Sequence, residues 1–460
     1  MAQQRHTPVR LPPGAKPLFI AALWKHLKRP LLIVTSSSDE SRRLSGQIGT
    51  YLENDSYVSI FTETNLTPYE RLWADNSTSN DRLSVLTSLL SPEHKYPSLI
   101  VTSIEGLTSK TISKTVLKKH SMKLNKESTI RATDVQEQWV RMGYRKDDSV
   151  QIPGTFSQRG GILDIFPSNL RLPVRVELLG NKIDVLNNFD PSTQRSIKPI
   201  ETVLISPALE ILPLESAHQR IESYISNMDF KRCNTFTKNR VMEDITEIFS
   251  GNTQSQSYLY NGLINTESLL NHLYDNHIVI FDNETHISLS GNSLDLRNGK
   301  LKRDRELRGD IPGNFPDPYF EWNKLIKDLS NYQQIDLGSL DATASNMGFG
   351  STPELVSRTD DLSHAISESV EKSSLTIMVT RSPRRIQEIL SDHSIPNIID
   401  TYPNDLLDKR AVHIIEGSLN QGWRFGSDKN KTILLTDLEL FGMTRQSAHQ
   451  KRKKFKKAPI

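Results

Sequence analysis

A short run in which charged residues alternate with aliphatic ones carries the side chains best suited to binding another molecule. Between Val174 and Leu179, the residues Arg175, Glu177 and Leu179 alternate with aliphatic residues, and successive side chains of a β-strand point to opposite faces. Arg159, on a preceding Gln-Arg-Gly-Gly segment, is expected to lie beside them. Guanidinium groups around an exposed leucine suit protein recognition, because arginine is enriched at interface hot spots. The alternative is a solvated strand face on which Arg175 and Glu177 balance each other.

A glycine-containing dipeptide follows each of Arg159 and Leu179. Gly160 and Gly161 could bring the backbone close to a partner, but a tight bend or β-bulge is the more frequent role of such a pair. Gly180-Asn181 lies between Val174–Leu179 and Lys182–Leu186 and predicts a two-residue hairpin. We therefore expect Gly160, Gly161 and Glu177 to support a surface formed by Arg159, Arg175 and Leu179.

ATP chemistry would need a phosphate-binding loop of the form G-x-x-x-x-G-K-S/T. The corresponding place is Pro12–Pro17, where Pro17 follows Lys16 at the position of the magnesium-binding hydroxyl. The strand-like Ile278–Phe281 precedes Asp282 and resembles the strand and carboxylate that hold magnesium in helicases. Without a phosphate loop to bind a nucleotide, this carboxylate would have no nucleotide-bound magnesium to hold. The sequence predicts a degenerate site, with no cofactor in this chain and no catalytic residue.

Other reactive sites are poorly supported. Cys233 is the single cysteine, which excludes an intrachain disulfide and a cysteine zinc cage. The twelve histidines show no H-E-x-x-H spacing, and there is no G-x-S-x-G elbow. A net charge of +3 is too small to indicate nucleic acid unless basic residues cluster. They do so in Lys451–Lys457, which is expected to be a solvated tail, with weak contact to DNA phosphates or acidic protein as the alternative.

The strand and helix patterns that would position these residues indicate an α/β protein. Leu31–Thr35, Tyr57–Phe61 and Leu99–Thr102 are short apolar runs typical of buried strands, and Asp81–Leu90 has a helical apolar face. Such alternation indicates a parallel sheet covered by helices. Short strands separated by turn residues then predict a β-rich insert, after which the α/β pattern returns.

The apolar run Leu18–Trp24 is far shorter than the roughly 20 residues that span a bilayer. We therefore expect a buried helix, a cytoplasmic protein and no membrane partner.

The predicted organisation has six parts. They are a first α/β stretch (1–125), the β-rich insert (126–212), the α/β continuation (213–345), a linker (346–370), a small second α/β domain (371–445) and the basic tail (446–460).

Several stretches together carry a family resemblance. They resemble the domain that is shared by the excision-repair helicase UvrB and the bacterial transcription-repair coupling factors (Mfd), and through which both contact UvrA. Two of them, Gln194-Arg195-Ser196 and Pro207–Glu210, favour the coupling factors. The stretches are Pro153–Pro167 (PGTFSQRGGILDIFP), Pro173–Gly180 (PVRVELLG), Phe189–Ser196 (FDPSTQRS) and, in the flanks, Leu66–Glu70, Glu416–Trp423 and Thr436–Gly442.

The chain thus resembles the N-terminal, UvrB-like region of a transcription-repair coupling factor. The resemblance implies a degenerate RecA-like domain with an inserted UvrA-interacting domain, and the family's UvrA contacts fall on positions matching Arg159, Arg175 and Leu179. An aromatic residue is common at the last of these, and leucine supplies less contact area. In that family an RNA-polymerase-binding segment and an ATP- and magnesium-dependent DNA translocase motor come next. We expect the chain to lack both, so that polymerase and DNA would be bound through segments missing here.

Two other functions stay open. One is a nucleotide-hydrolysing relative of UvrB and the helicases, with an unconventional phosphate site. The other is a DNA-binding module that works through the basic tail. The favoured hypothesis is a docking module of transcription-coupled nucleotide excision repair without its own ATPase, which recruits UvrA beside a stalled RNA polymerase.

Overall fold

The computed structural model describes most of the chain. The described residues are 6–52, 57–64, 67–70, 76–90, 98–212, 218–250, 258–352, 366, 375–400, 410–426 and 431–441. The basic tail Lys451–Lys457 and most of the predicted linker lie outside these ranges, and so do their predicted roles.

The first α/β stretch alternates strands and helices as its sequence pattern predicts. Helix starts carry suitable caps: the Ser37 hydroxyl accepts a hydrogen bond from the amide of Glu40, and the Ser103 hydroxyl accepts one from the amide of Gly106. The elements are β1 His6–Arg10, α1 Lys16–Leu27, β2 Leu31–Thr35, α2 Ser38–Thr50, β3 Val58–Phe61, α3 Asn76–Ser88, β4 Leu99–Ser103, α4 Ile104–Thr108 and α5 Lys114–Lys119.

The insert is a six-stranded sheet backed by one helix and a two-stranded ribbon. The sheet order is β11-β10-β9-β8-β7-β6, and the ribbon pairs the first and last strands of the insert, β5 and β12. The insert therefore begins at Met122, a few residues before the predicted boundary. Its elements are β5 Met122–Asn125, α6 Ala132–Arg141, β6 Arg145–Lys146, β7 Thr155–Arg159, β8 Ile162–Phe166, β9 Val174–Leu179, β10 Lys182–Phe189, β11 Ser196–Pro199 and β12 Thr202–Ile205.

The continuation completes the sheet that the first stretch begins. All seven strands are parallel in the order β15-β1-β14-β13-β2-β4-β3, so β13 and β14 lie between β1 and β2. The predicted fold class, a parallel α/β domain interrupted by a β-rich module, is confirmed. The new elements are α7 His218–Asn227, α8 Thr235–Phe249, α9 Asn261–Ile264, β13 Ile278–Phe281, α10 Glu284–Arg308, α11 Trp322–Leu329, β14 Gln333–Leu337 and β15 Ser345–Asn346.

A second α/β domain follows, with its own sheet in the order β16-β20-β21-β17-β19-β18. The strands β15 and β16 are neighbours in sequence but belong to different sheets, so the start of the predicted linker, up to Gly350, is ordered. Trp423 and Leu434 pack into the core on one face of the first sheet and join the two domains. The elements are β16 Phe349–Gly350, β17 Leu375–Thr380, α12 Pro383–Asp392, β18 Asn397–Asp400, β19 Val412–Glu416, β20 Trp423–Phe425, β21 Thr432–Thr436 and α13 Asp437–Phe441.

A buried ion pair anchors the insert to the α/β domain. Arg82 of α3 is fully buried and donates from Nε and Nη2 to the carboxylate of Glu210, at 2.8 to 3.1 Å. Thr111 donates its hydroxyl to the same carboxylate at 2.5 Å. Burial opposes the charged form of Arg82, but the attraction of Glu210 outweighs it and raises the pKa of the guanidinium. The chain segment that leaves the insert is thereby fixed where it re-enters the α/β domain.

Candidate protein-docking surface

The register of the insert sheet brings most of the predicted residues to one face. Arg159 of β7 is opposite Ile162 of β8, and Ile162 is opposite Glu177 of β9. Because strands lie about 4.8 Å apart, Arg159 and Glu177 are separated by about 10 Å across one intervening strand. Leu179 is two residues further along β9 on the same face and is 73% exposed. We call Arg159, Ile162, Glu177 and Leu179 the hairpin face.

The opposite face of β9 explains why the hairpin face points outward. Val174 and Val176 are completely buried in the main core of the insert, and Leu178 packs against the edge of that core. Trp139 of α6 lies edge-on to Phe156 at a centroid distance of 5.4 Å and fills the same core. Because successive side chains of a strand point to opposite faces, Glu177 and Leu179 lie on the other side of the sheet.

Two tight turns end the strands that carry the hairpin face. Gly160 has a φ of +60° and Gly180 a φ of +65°, each at the first position of a two-residue turn, where glycine adopts positive φ without strain. A Cβ on Gly161 would lie 3.1 Å from the carbonyl oxygen of Leu178. Gly161 therefore allows close approach to the chain's own β9, which agrees with the prediction of a tight bend.

Arg175 lies on the predicted face, but its guanidinium is held by the insert itself. Its Nε and Nη2 donate to the two carboxylate oxygens of Asp164 at 2.8 Å each, and Nη1 donates to the carbonyl oxygen of Gln194 at 3.1 Å. The guanidinium also covers the ring of Phe189 at 4.8 Å. The hydrogen bonds that Arg175 donates to Asp164 raise the pKa of its guanidinium against the effect of burial. The expected pair of outward guanidinium groups is thus reduced to that of Arg159.

Arg159 is exposed and loosely held by comparison. Its Nη2 donates to the carbonyl oxygen of Asp148 at 2.7 Å, in a solvent-exposed position. A partner carboxylate can replace this single exposed hydrogen bond, because it can accept two parallel bonds from the guanidinium and carries the opposite charge. Arg159 is therefore the cation of the hairpin face that a partner can reach.

Sequence reasoning missed two residues of this surface. Ile162 is half-exposed between Arg159 and Glu177, and Asp164 is the partner of Arg175. The alternation of Ile162, Asp164 and Phe166 with Leu163 and Ile165 carries the signal for both, since only one of the two sets can face the main core. Phe166 instead joins Phe189 and Val150 in a small second core beneath the loops that cover the other end of this face.

The degenerate phosphate loop has a definite structure. Pro13–Ala15 forms one 3-10 turn, and α1 begins at Lys16. Lys16 donates its Nζ to the carboxylate of Asp282 at 2.7 Å and to the carbonyl oxygen of the same residue at 2.5 Å. The lysine and the carboxylate that would hold phosphate and magnesium in a nucleotide-binding relative are paired with each other.

The second α/β domain packs directly on this loop. A Cβ on Gly14 would lie 2.5 Å from the carbonyl oxygen of Gln421, so the two backbones are in contact.

Within the described ranges, His, Cys, Asp and Glu side chains nowhere gather in a group of three able to hold a metal ion. Among the same residues, no helix is long and apolar enough to cross a bilayer.

Comparison with known families agrees with the geometry of the insert. The model of the UvrB interaction domain matches residues 122–211. The match begins at the first residue of β5 and ends just after Glu210, so it coincides with the insert that the strands define.

Whole-chain comparisons find the transcription-repair-coupling factors. The chain is 24% identical to that of Bacillus subtilis over 459 residues, which cover 93% of the chain and 37% of the relative. It is 23% identical to that of Staphylococcus epidermidis, over 96% of the chain and 39% of the relative. A 27% identical match to the Myxococcus xanthus protein covers 48% of the chain. The predicted resemblance to the N-terminal region of these factors is confirmed, and the chain spans about two fifths of the length of such relatives.

Proposed function

We propose that the chain acts in transcription-coupled DNA repair by docking the repair protein UvrA on the hairpin face. The single observation that carries the proposal is the exposure of Leu179 beside Arg159 at the tip of a UvrB interaction domain. In the favoured picture, RNA polymerase, DNA, ATP and magnesium are bound by other segments of a coupling factor, and this region recruits UvrA to the damaged site.

The chemistry of the hairpin face supports protein binding. Burying an exposed leucine contributes about 1.5 to 3 kcal/mol, and Leu179 is largely free to be buried by a partner. Arg159 offers a guanidinium group to an acidic partner residue, while the half-exposed Glu177 offers a carboxylate to a basic one. An apolar centre with a polar rim is the usual anatomy of a protein interface, and arginine is enriched among the residues that contribute most to binding.

Titration of purified UvrA against the full chain tests the proposal. Arg159→Glu is expected to weaken binding by about 2 kcal/mol, or thirtyfold, because it reverses the exposed cation. Leu179→Glu is expected to weaken it at least as much, because it removes the anchor and introduces a charge that must be desolvated. Isothermal titration calorimetry would measure both.

A matched control comes from the same sheet. Ile197 of β11 is 53% exposed at the sheet edge away from β7, so Ile197→Glu introduces the same charge off the hairpin face. It should leave the affinity unchanged. UvrA binding of undiminished strength by the Arg159→Glu/Leu179→Glu double variant, or equal loss in the Ile197→Glu control, would defeat the assignment.

A further inference from the structure

The longest helix of the chain carries a straight line of exposed leucines. Leu289, Leu296 and Leu307 of α10 are 62%, 75% and 61% exposed. The first and last are 18 residues apart, which equals five turns of about 3.6 residues, and Leu296 falls on the second turn. The three side chains therefore share one face, about 27 Å long at 1.5 Å per residue. We call this face the leucine line.

The opposite face of α10 is committed to the α/β core. Ile287, Gly291 and Leu294 are buried, and a Cβ on Gly291 would collide with the ring of Trp322 in α11. Helix α10 is therefore held rigidly with the leucine line outward. Single exposed leucines are ordinary, but three aligned on one face of a packed helix offer a row of apolar anchor points that a partner can cover.

Charge near the leucine line is mostly positive. Three of the four carboxylates of α10 lie about 100° or more around the helix from it and are half-buried; for example, Glu284 pairs with His6 at 2.9 Å and Glu306 accepts a hydrogen bond from the amide of Asn314. The fourth, the half-buried Asp304, lies about 60° from the line. Lys300 and Arg303, by contrast, are exposed and lie on the leucine line itself, between Leu296 and Leu307. Arg297 and Arg308 are exposed beside it. The exposed charges of this helix are all positive.

This combination selects one kind of occupant. A second copy meeting the same face would bring cations against cations, which opposes association. A DNA backbone would satisfy the cations but leave three leucines against phosphates. An amphipathic helix with an apolar seam and acidic flanks satisfies both, by burying leucine and pairing carboxylates with the basic side chains. We propose that the leucine line docks an acidic amphipathic helix of a protein partner, at a surface on the α/β domain that is separate from the hairpin face.

A defined peptide pair tests this proposal on the full chain. The probe is a fluorescein-labelled 25-residue helical peptide with leucines along one seam and glutamates beside it, and its counterpart has lysines in place of the glutamates. Fluorescence anisotropy should show the acidic peptide binding at least tenfold more tightly than the basic one. Leu296→Gln should weaken the acidic peptide at least tenfold, and so should Lys300→Glu/Arg303→Glu.

Matched variants separate the stripe from general surface effects. Leu340 is 90% exposed outside α10, so Leu340→Gln removes an exposed leucine away from the leucine line, and Lys198→Glu on β11 reverses an exposed lysine of the insert. Neither should change the affinity for the acidic peptide. Thermal melting of Leu296→Gln should match the parent, because exposed substitutions change stability by less than about 0.5 kcal/mol.

Several results would overturn the proposal. Equal affinity for the two peptides would remove the charge argument, and insensitivity to Leu296→Gln would remove the apolar one. A 20-base-pair DNA duplex or phosphatidylglycerol vesicles could bind more tightly than the acidic peptide. If Lys300→Glu/Arg303→Glu abolished that binding and Leu296→Gln did not, the face would be assigned to a polyanion. Self-association in sedimentation that Leu296→Gln abolishes would assign it to a second copy.

Discussion

Replacing Arg175 by alanine should loosen the insert rather than merely remove a contact with a partner. The side chain of Asp164 is 4% exposed and that of Arg175 is 17% exposed, so the pair is largely screened from water. Removing one partner of a buried pair costs about 3 to 5 kcal/mol, because the other charge stays buried alone. Since Arg175 retains some access to solvent, we expect the lower end of this range, about 3 kcal/mol.

Hydrogen–deuterium exchange on the full chain measures this change locally. A loss of about 3 kcal/mol corresponds to roughly a hundredfold faster exchange, since each 1.4 kcal/mol is tenfold. The acceleration should appear in β8 and β9 and be absent from β2 and β13, because the insert has its own core. Arg159→Ala is the matched control, with one exposed hydrogen bond lost and an expected change below about 0.5 kcal/mol.

A compensating double variant sharpens the test. Arg175→Met/Asp164→Leu replaces the pair by apolar side chains and should recover most of the protection, as exchanges of buried ion pairs for apolar residues often do. Exchange of Arg175→Ala within about threefold of the parent in β8 and β9 would show that the pair does not hold the sheet. In that case a loss of UvrA binding by an Arg175 variant could be attributed to direct contact.

Two further predictions concern stability. Burial lowers the pKa of both His272 and His277 to about 4, and protonated His272 would bury a second N–H at Nδ1, where the described residues offer no acceptor. Below pH 6.5 the unfolded chain, whose histidine pKa values are near 6.5, binds more protons than the folded chain. The free energy of unfolding, measured by urea titration, should therefore be greatest above pH 6.5 and fall by up to about 3 kcal/mol per histidine as the pH drops towards 4. An unchanged free energy of unfolding between pH 6.5 and 4.5 would contradict this. Glu210→Gln removes the carboxylate from fully buried Arg82 and should cost about 3 kcal/mol in the same titrations at pH 7, whereas Glu137→Gln, in an exposed pair on α6, should cost almost nothing; equal effects of the two would refute the role of burial.

Local patterns were sufficient for much of the fold. The apolar runs Leu31–Thr35 and Leu99–Thr102 became adjacent central strands, because strands buried on both faces need continuous apolar sequence. Gly180-Asn181 became a hairpin turn, because a two-residue turn needs a positive φ that glycine supplies. The pairing of β5 with β12, some 80 residues later, was not predicted, because no local pattern encodes it.

The sequence predicted the orientation of the β9 side chains, but not the engagement of Arg175. Alternation in β9 correctly assigned Glu177 and Leu179 to the face opposite Val174 and Val176. The same rule assigned Arg175 to that face but could not reveal its engagement, because Asp164 is on another strand and the register between strands decides which side chains are opposite.

Residue types and their spacing determined which side of each strand is apolar, where the turns lie and that Pro17 follows Lys16 where a phosphate loop has a hydroxyl. Only the tertiary structure decided that Lys16 is bound by Asp282, that Arg175 is bound by Asp164, and that the leucines of α10 stay exposed. The reason is physical: burial and charge pairing depend on distances between segments far apart in sequence. The periodicity of a sequence predicts which face of an element a side chain occupies, but not which residue of another segment it contacts.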